Sequence, residues 1–174
     1  MAMRQNGPTG REITFGPEEI IVSKTDLSGR ITYANDVFLR VAGYSESEIL
    51  GKPHSLIRHP DMPRCVFELL WRTIQGGREI FAYVVNLAKN GDHYWVHAHV
   101  TPTFDDGGAI VGYHSNRRCP EPTALAKVRP LYEALVLEEQ RASDKLSGMA
   151  ASAKMLEQLL AKERVRYDEL VFSL

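Results

Sequence analysis

Along the chain the apolar positions change period more than once, from the alternation of strands to helical spacing and back, before a long helical repeat takes over. Ile20 to Thr25 and Arg30 to Ala34 alternate and are joined by Asp26-Leu27-Ser28-Gly29, a run of turn formers, which predicts a hairpin. Asn35 and Asp36 are suited to cap a short helix carrying Val37, Phe38 and Val41, ended by Gly43. Ser45 followed by Glu48 has capping-box spacing for a further helical turn, closed by Gly51-Lys52-Pro53. A helix is predicted from about Pro63, with Val66, Phe67, Leu70, Trp71 and Ile74 as its stripe and Gly76-Gly77 as its stop. Alternation returns over Glu79 to Ala88, Asp92 to Val100 and Ile110 to Asn116. Asn90-Gly91 between the first two predicts a tight type I′ hairpin with both central residues at positive φ. Asp105-Asp106-Gly107-Gly108 marks the next reversal. Strands, short helices and three antiparallel strands in that order predict an α+β fold with its short helices gathered on one face of the sheet.

Alternation also assigns faces. Val96, Ala98 and Val100 fall on the helix-covered side, where small side chains leave room for a ligand, and Trp95, His97 and His99 fall on the other. Trp95 there requires a cover, either the lead-in through Ile13 and Phe15 or a partner subunit. His97 and His99 are spaced to chelate a metal or simply to form a polar sheet face, and no third ligand stands at a recognisable spacing. Past a linker at Arg118 to Thr123, a heptad seam runs through Leu146, Met149, Ala153, Leu156, Leu160, Tyr167 and Leu170, with Glu163 a misfit. It extends backward through Ala142, Leu135, Tyr132, Val128 and Leu125, with Glu139 a misfit. Residues 124–172 are therefore predicted to be one long helix or two, jointed at Ser147-Gly148, and to serve a homodimer, dock a helical partner or fold back over the sheet. The predicted organisation is a lead-in at 1–17, a globular domain at 18–118 and a helical dimerisation or docking segment at 119–174.

Candidate chemistry concentrates between His54 and Pro63, which holds two imidazoles, a guanidinium, a carboxylate and two prolines. Arg58, His59 and Asp61 would stand beside a helix start, where backbone N–H groups and the positive dipole end favour an anion. Alternatively, Asp61 caps the helix and Arg58 and His59 are solvated. A net charge of -1 argues against a nucleic-acid surface. Two cysteines, Cys65 and Cys119, fit a reducing compartment rather than a disulfide framework. Neither a signal-peptide core nor a membrane-length apolar stretch occurs, so a cytoplasmic location is expected. With 174 residues, 44% of them hydrophobic, there is material for one ordinary core and an appendage. No nucleophile-base pair, phosphate loop or metal cluster stands out, so the chain is not expected to be an enzyme.

Taken together, Thr25-Asp26-Leu27, Gly29-Arg30-Ile31-Thr32, Asn35-Asp36-Val37-Phe38, Gly43-Tyr44-Ser45, Ile57 to Pro63, Asn86, Lys89 to Val96 and Gly112-Tyr113 resemble the PAS sensor domains. The runs Arg58 to Pro63 and Lys89 to Val96 are more specific, and resemble the flavin-binding PAS domain of bacterial aerotaxis transducers. The resemblance covers about Ile20 to Arg117. It implies a five-stranded antiparallel sheet with a pocket between sheet and helices, and FAD held there noncovalently as a redox probe.

Residue by residue, Asn35, Arg58, His59 and Asp61 match positions associated with flavin binding, and Asn86 matches one that faces the ring's polar edge. Trp71, Phe81 or Tyr83 would stack on the flavin, because Ile80 stands where the aerotaxis domains usually carry a tryptophan. His54 stands where light-sensing relatives carry their reactive cysteine, so adduct photochemistry is not expected. PAS relatives also bind haem, for which His54 or His59 would be the axial ligand, and a cofactor-free dimerisation module is a further alternative. The expected function is a redox- or oxygen-responsive sensor; were the chain an enzyme, a small flavin oxidoreductase would be the candidate. No kinase core or methyl-accepting hairpin fits in the chain, so its signal is expected to pass to a separate transducer or kinase.

Overall fold

A computed structural model describes residues 7–174. The first hairpin forms as its alternation predicts, β1 at Ile21–Thr25 and β2 at Ile31–Ala34. Asn35 caps α1, Asp36–Ala42, by accepting from the Phe38 N–H, and Gly43 ends that helix at a φ of 73°. Ser45 and Glu48 form a capping box on α2, Glu46–Ile49. A single 3-10 turn at His54–Ile57 then delivers the chain to α3, Arg64–Gln75. Strands β3 (Ile80–Leu87), β4 (His93–Phe104) and β5 (Ile110–Arg118) complete a sheet of order β2-β1-β5-β4-β3. Every paired strand is antiparallel, so the first hairpin joins the later three through β1 and β5.

The hairpin between β3 and β4 departs from the predicted turn. The Gly91 N–H donates to the Ala88 carbonyl and the Ala88 N–H to the Asp92 carbonyl, and of the two central residues only Gly91 has positive φ, at 92°. Asn90 is held in an ordinary conformation by its side chain, which accepts from the Asp92 N–H at 3.0 Å and donates to the Asp92 carboxylate at 2.9 Å. The result is a longer turn with glycine in the left-handed position, which supplies the reversal as well as type I′ would. Strand β4 runs on to Phe104, past the last β3 pair at Ile80 and Val100, so Pro102 sits where β3 no longer accompanies it.

Both sheet edges are covered. On β2, Ile31 exchanges backbone hydrogen bonds with Lys52 and Gly51. On β3, Arg58 bridges Asn86 backbone to backbone, and the Tyr132 hydroxyl donates to the Tyr83 carbonyl at 2.6 Å. Covered edges deny a second chain a template for strand addition.

The C-terminal segment is three helices: α4 at Pro122–Arg141, α5 at Lys145–Glu163 and α6 at Tyr167–Ser173. The joint lies at Ala142 to Asp144, where the Asp144 carboxylate caps α5, and not at Ser147-Gly148. Gly148 instead allows α5 to touch α4, because a Cβ there would overlap the Glu139 carbonyl oxygen. The seam residues Val128, Tyr132, Leu135 and Leu156 are buried inside this one chain. A glutamate at Leu156 would therefore break intrachain packing, whatever the assembly. Trp95 receives its cover from the same chain: Arg129 lies over its ring at 5.2 Å and Tyr132 at 5.8 Å. Arg129 also pairs with Glu12 of the lead-in at 2.8 Å, and the lead-in hydrogen-bonds along the start of β4 through Ile13 and His93.

Candidate functional site

The inner sheet face is drawn from every second residue of its strands: Ser23 and Thr25 on β1, Val84 and Asn86 on β3, Ala98 and Val100 on β4, Tyr113, Ser115 and Arg117 on β5. Across from it stand the 3-10 turn with His54 and Ile57, then Arg58, and the α3 stripe Phe67, Leu70, Trp71 and Ile74. They enclose a cavity of about 310 Å³, at the small end of the usual range for organic ligands. Alanine and valine on β3 and β4 leave this space because no large side chain projects into it from the sheet centre.

Its polar groups are few and unusual. Arg117 occupies the last inward position of β5 and is 3% exposed. Its Nη2 donates to Ser23 Oγ at 2.6 Å and to His54 Nε2 at 2.7 Å, and its guanidinium lies 5.4 Å from the Phe38 ring centre. Among the described residues no carboxylate lies within ion-pair distance of it. Burial lowers its pKa to about 10, so it remains a cation at neutral pH. To accept from Arg117, His54 must be neutral with its proton on Nδ1. Burial foremost, then the positive charges of Arg117 and Arg58, push its pKa down to about 3. Tyr94, raised above its usual value by burial, sits beside the same cation. Three buried polar atoms of the lining have no partner among the described residues: Asn86 Nδ2, Ser115 Oγ and Arg117 Nη1. A buried donor left unpaired costs roughly 1–3 kcal/mol, so three of them on one apolar cavity fit an occupant with complementary acceptors.

Of the residues singled out in the sequence, Arg58, Trp71 and Asn86 line this cavity and Asn35, His59 and Asp61 do not. Asn35 is spent on architecture, accepting from the Phe38 and Val22 N–H groups and donating to the Ile20 carbonyl. His59 is buried outside the cavity, its Nδ1 accepting the Asp61 N–H, and its ring is 5.6 Å from that of His93. Asp61 is solvated, its side chain 77% exposed. Arg58 is exposed at the mouth, stacked on Phe67 at 4.2 Å. Trp71 packs edge-on against Tyr113 at 5.4 Å. Phe81 and Tyr83 lie on the outer face against His99 and His97, where neither reaches a ligand in the cavity. His99 pairs with Glu79 at 2.7 Å, and no group able to hold a metal occurs among the described residues.

The haem alternative is not supported. His54 Nε2, the atom that would bind iron, is taken by a guanidinium, and the His59 ring faces away from the cavity. Sequence reasoning missed Arg117, Ser115 and Ser23. A signal for Arg117 was present: it shares its parity on β5 with Tyr113 and Ser115, so an arginine was due on a face otherwise read as apolar.

The pattern of the PAS fold matches residues 31–117. The aerotaxis receptor of Escherichia coli (strain K12) is 42% identical over 132 residues, 76% of this chain and 25% of that protein. The nitrogen fixation regulatory protein of Klebsiella pneumoniae is 29% identical over 99 residues, covering 57% of this chain and 20% of that one. The chain thus spans about a quarter or less of the length of these relatives. Among solved structures, the dark state of the blue-light photoreceptor Aureochrome1 LOV superposes with a TM-score of 0.54 at 26% identity, over 70% of this chain and 84% of that one. A light-oxygen-voltage domain studied with a flavin analogue gives 0.56 at 23% identity, over 64% and 84%. No helix among the described residues is long and apolar enough to cross a membrane. With the strand order, the cavity between sheet and α3, and a sequence match over half its length, the chain belongs to the PAS fold family.

Proposed function

We infer that the cavity holds a flavin, FAD by preference, and that the chain is a redox- or oxygen-responsive sensor, not an enzyme. The observation that carries this is a buried arginine with no carboxylate partner among the described residues, grouped with Asn86 Nδ2 and Ser115 Oγ, likewise unpartnered among them, on one otherwise apolar cavity. A planar heterocycle with one polar edge meets both demands: its body fills the apolar space, and its edge accepts from Asn86, Ser115 and Arg117. A bound flavin supplies reversible reduction. Arg117 favours whichever redox form carries more negative charge there, because its own charge is uncompensated in a low dielectric. Arg58 at the mouth suits a phosphate or diphosphate, and Trp71 offers an aromatic wall. Similarity to an aerotaxis receptor and to a light-oxygen-voltage domain supports the same reading.

The signal would leave through α4 to α6, which continue directly from β5, to a separate transducer or kinase in the cytoplasm, with the sensor working as a homodimer. Purified protein is expected to be yellow and to release FAD when denatured, identified by chromatography against FAD and FMN standards. A colourless chain that stays colourless after refolding with either flavin overturns the reading, leaving a PAS module without cofactor.

A further inference from the structure

Helix α3 faces two ways. One stripe lines the cavity with Phe67, Leu70, Trp71 and Ile74, and the helix also packs on α5. Its N-terminus lacks an ordinary cap, since Pro63 holds the cap position and has no side chain that can accept. The first-turn donor is met from afar: the Cys65 N–H donates to Glu139 Oε1 on α4 at 3.1 Å. Ser152 Oγ on α5 donates to the same oxygen at 2.9 Å, and Arg64 Nη1 on α3 lies 3.9 Å from Glu139 Oε2. Glu139 is 7% exposed, and Gly148 brings α5 against its backbone carbonyl.

A buried carboxylate contributes little net stability compared with an apolar filler, but it is costly to strand. Its hydrogen bonds also weaken steeply once geometry drifts. Glu139 is thus satisfied only while α3, α4 and α5 hold one arrangement. We propose that Glu139 is a latch that couples the cavity-lining helix α3 to the docking of the C-terminal helices. A ligand that moves the α3 stripe strains this carboxylate, and release of the helices frees the α3 N-terminus in turn. Coupling of this kind is reciprocal. The role of the ligand in it rests on the flavin reading above; the mechanical link between α3 and α5 does not.

The test is amide hydrogen exchange on the full chain, wild type against Glu139→Gln and against Glu138→Gln, whose parent side chain pairs, among the described residues, only with Arg141 on the same helix. Without ligand, Glu139→Gln is expected to speed exchange at the α3 first turn and around Ser152 together, by about tenfold or more, the loss expected for a charge-assisted hydrogen bond. Glu138→Gln is expected to change neither. Faster exchange in α5 with unchanged α3 amides overturns the latch and leaves Glu139 as local packing. Should Glu139→Gln fail to fold by circular dichroism, Ser152→Ala removes one partner, keeps the carboxylate, and is read in the same two places. With FAD added, α3 and the C-terminal helices are expected to respond together in wild type, whereas only α3 responds in Glu139→Gln. An equal helix response in both proteins also overturns the latch. Absence of flavin absorbance in the same samples overturns the flavin reading alone, because the ligand-free comparison still decides the latch.

Discussion

The protonation of His54 makes acid stability a direct probe of the Arg117 environment. Its pKa falls from the ordinary 6.5 to about 3 in the folded chain, first through burial and then through Arg117 and Arg58. A base with a depressed folded pKa is neutral in the native state while the unfolded chain takes up the proton. The stability it confers is complete above about pH 6.5 and is lost as pH falls toward about 3. Integrated over roughly pH 6 to pH 4, that one site removes about 2.5 kcal/mol. Burial also lowers the pKa values of His59 and His97, so the bare wild-type profile mixes several sites. The clean quantity is the difference between wild type and His54→Gln, whose amide oxygen can still accept from Arg117. Urea unfolding at several pH values should show wild type losing about 2.5 kcal/mol more than the variant over that window. A difference that stays flat, or a His54 imidazole resonance titrating near 6.5 in the folded protein, would refute the reasoning and place His54 in water.

Arg58→Ala should retain the fold but lower FAD affinity tenfold or more, since a hydrogen bond to a charged group contributes about 1.5–3 kcal/mol; fluorescence titration checks it, and unchanged affinity removes Arg58 from the site. Arg117→Met should leave the melting temperature of the empty chain unchanged or raised, because it removes an unpaired buried charge, while weakening flavin binding and lowering the flavin's midpoint potential. A folded variant with wild-type affinity and potential would contradict that. Gly148→Ala should destabilise the chain by about 1–3 kcal/mol, because the added methyl must push α5 from the Glu139 carbonyl; an unchanged melting temperature would show that the helices do not touch there.

Sequence pattern sufficed where a side chain's role is local. Strand alternation, the Asn35 cap and the Ser45 box depend on neighbours a few residues away, and each formed where its spacing put it. The C-terminal helices were harder, because a heptad seam records which face is buried and not against what. Its two misfits held the missing information: Glu163 is where α5 ends, with Arg164 turning left-handed at a φ of 55°, and Glu139 is the carboxylate spent on α3. Similarly, the cluster from His54 to Asp61 is dense in sequence yet splits in space. The connector turns between Arg58 and His59, so Arg58 goes to the cavity mouth and His59 behind it. Arg117 was obscured for the opposite reason, since Ser23 is brought to it by the β1–β5 pairing and His54 by the 3-10 turn that closes the cavity.

The Tyr132 hydroxyl on the Tyr83 carbonyl has a bearing on how the isolated sensor domain should be handled. Removing α4 to α6 bares the flank of β3, an edge strand whose outward Phe81 and Tyr83 and free carbonyls are suited to stacking against another copy. Self-association measured on a fragment cut before Pro122 would then report a freshly exposed strand, and would say little about how the intact chain assembles. Keeping the helices, or placing a lysine at Phe81 in the fragment, would separate the two kinds of dimer.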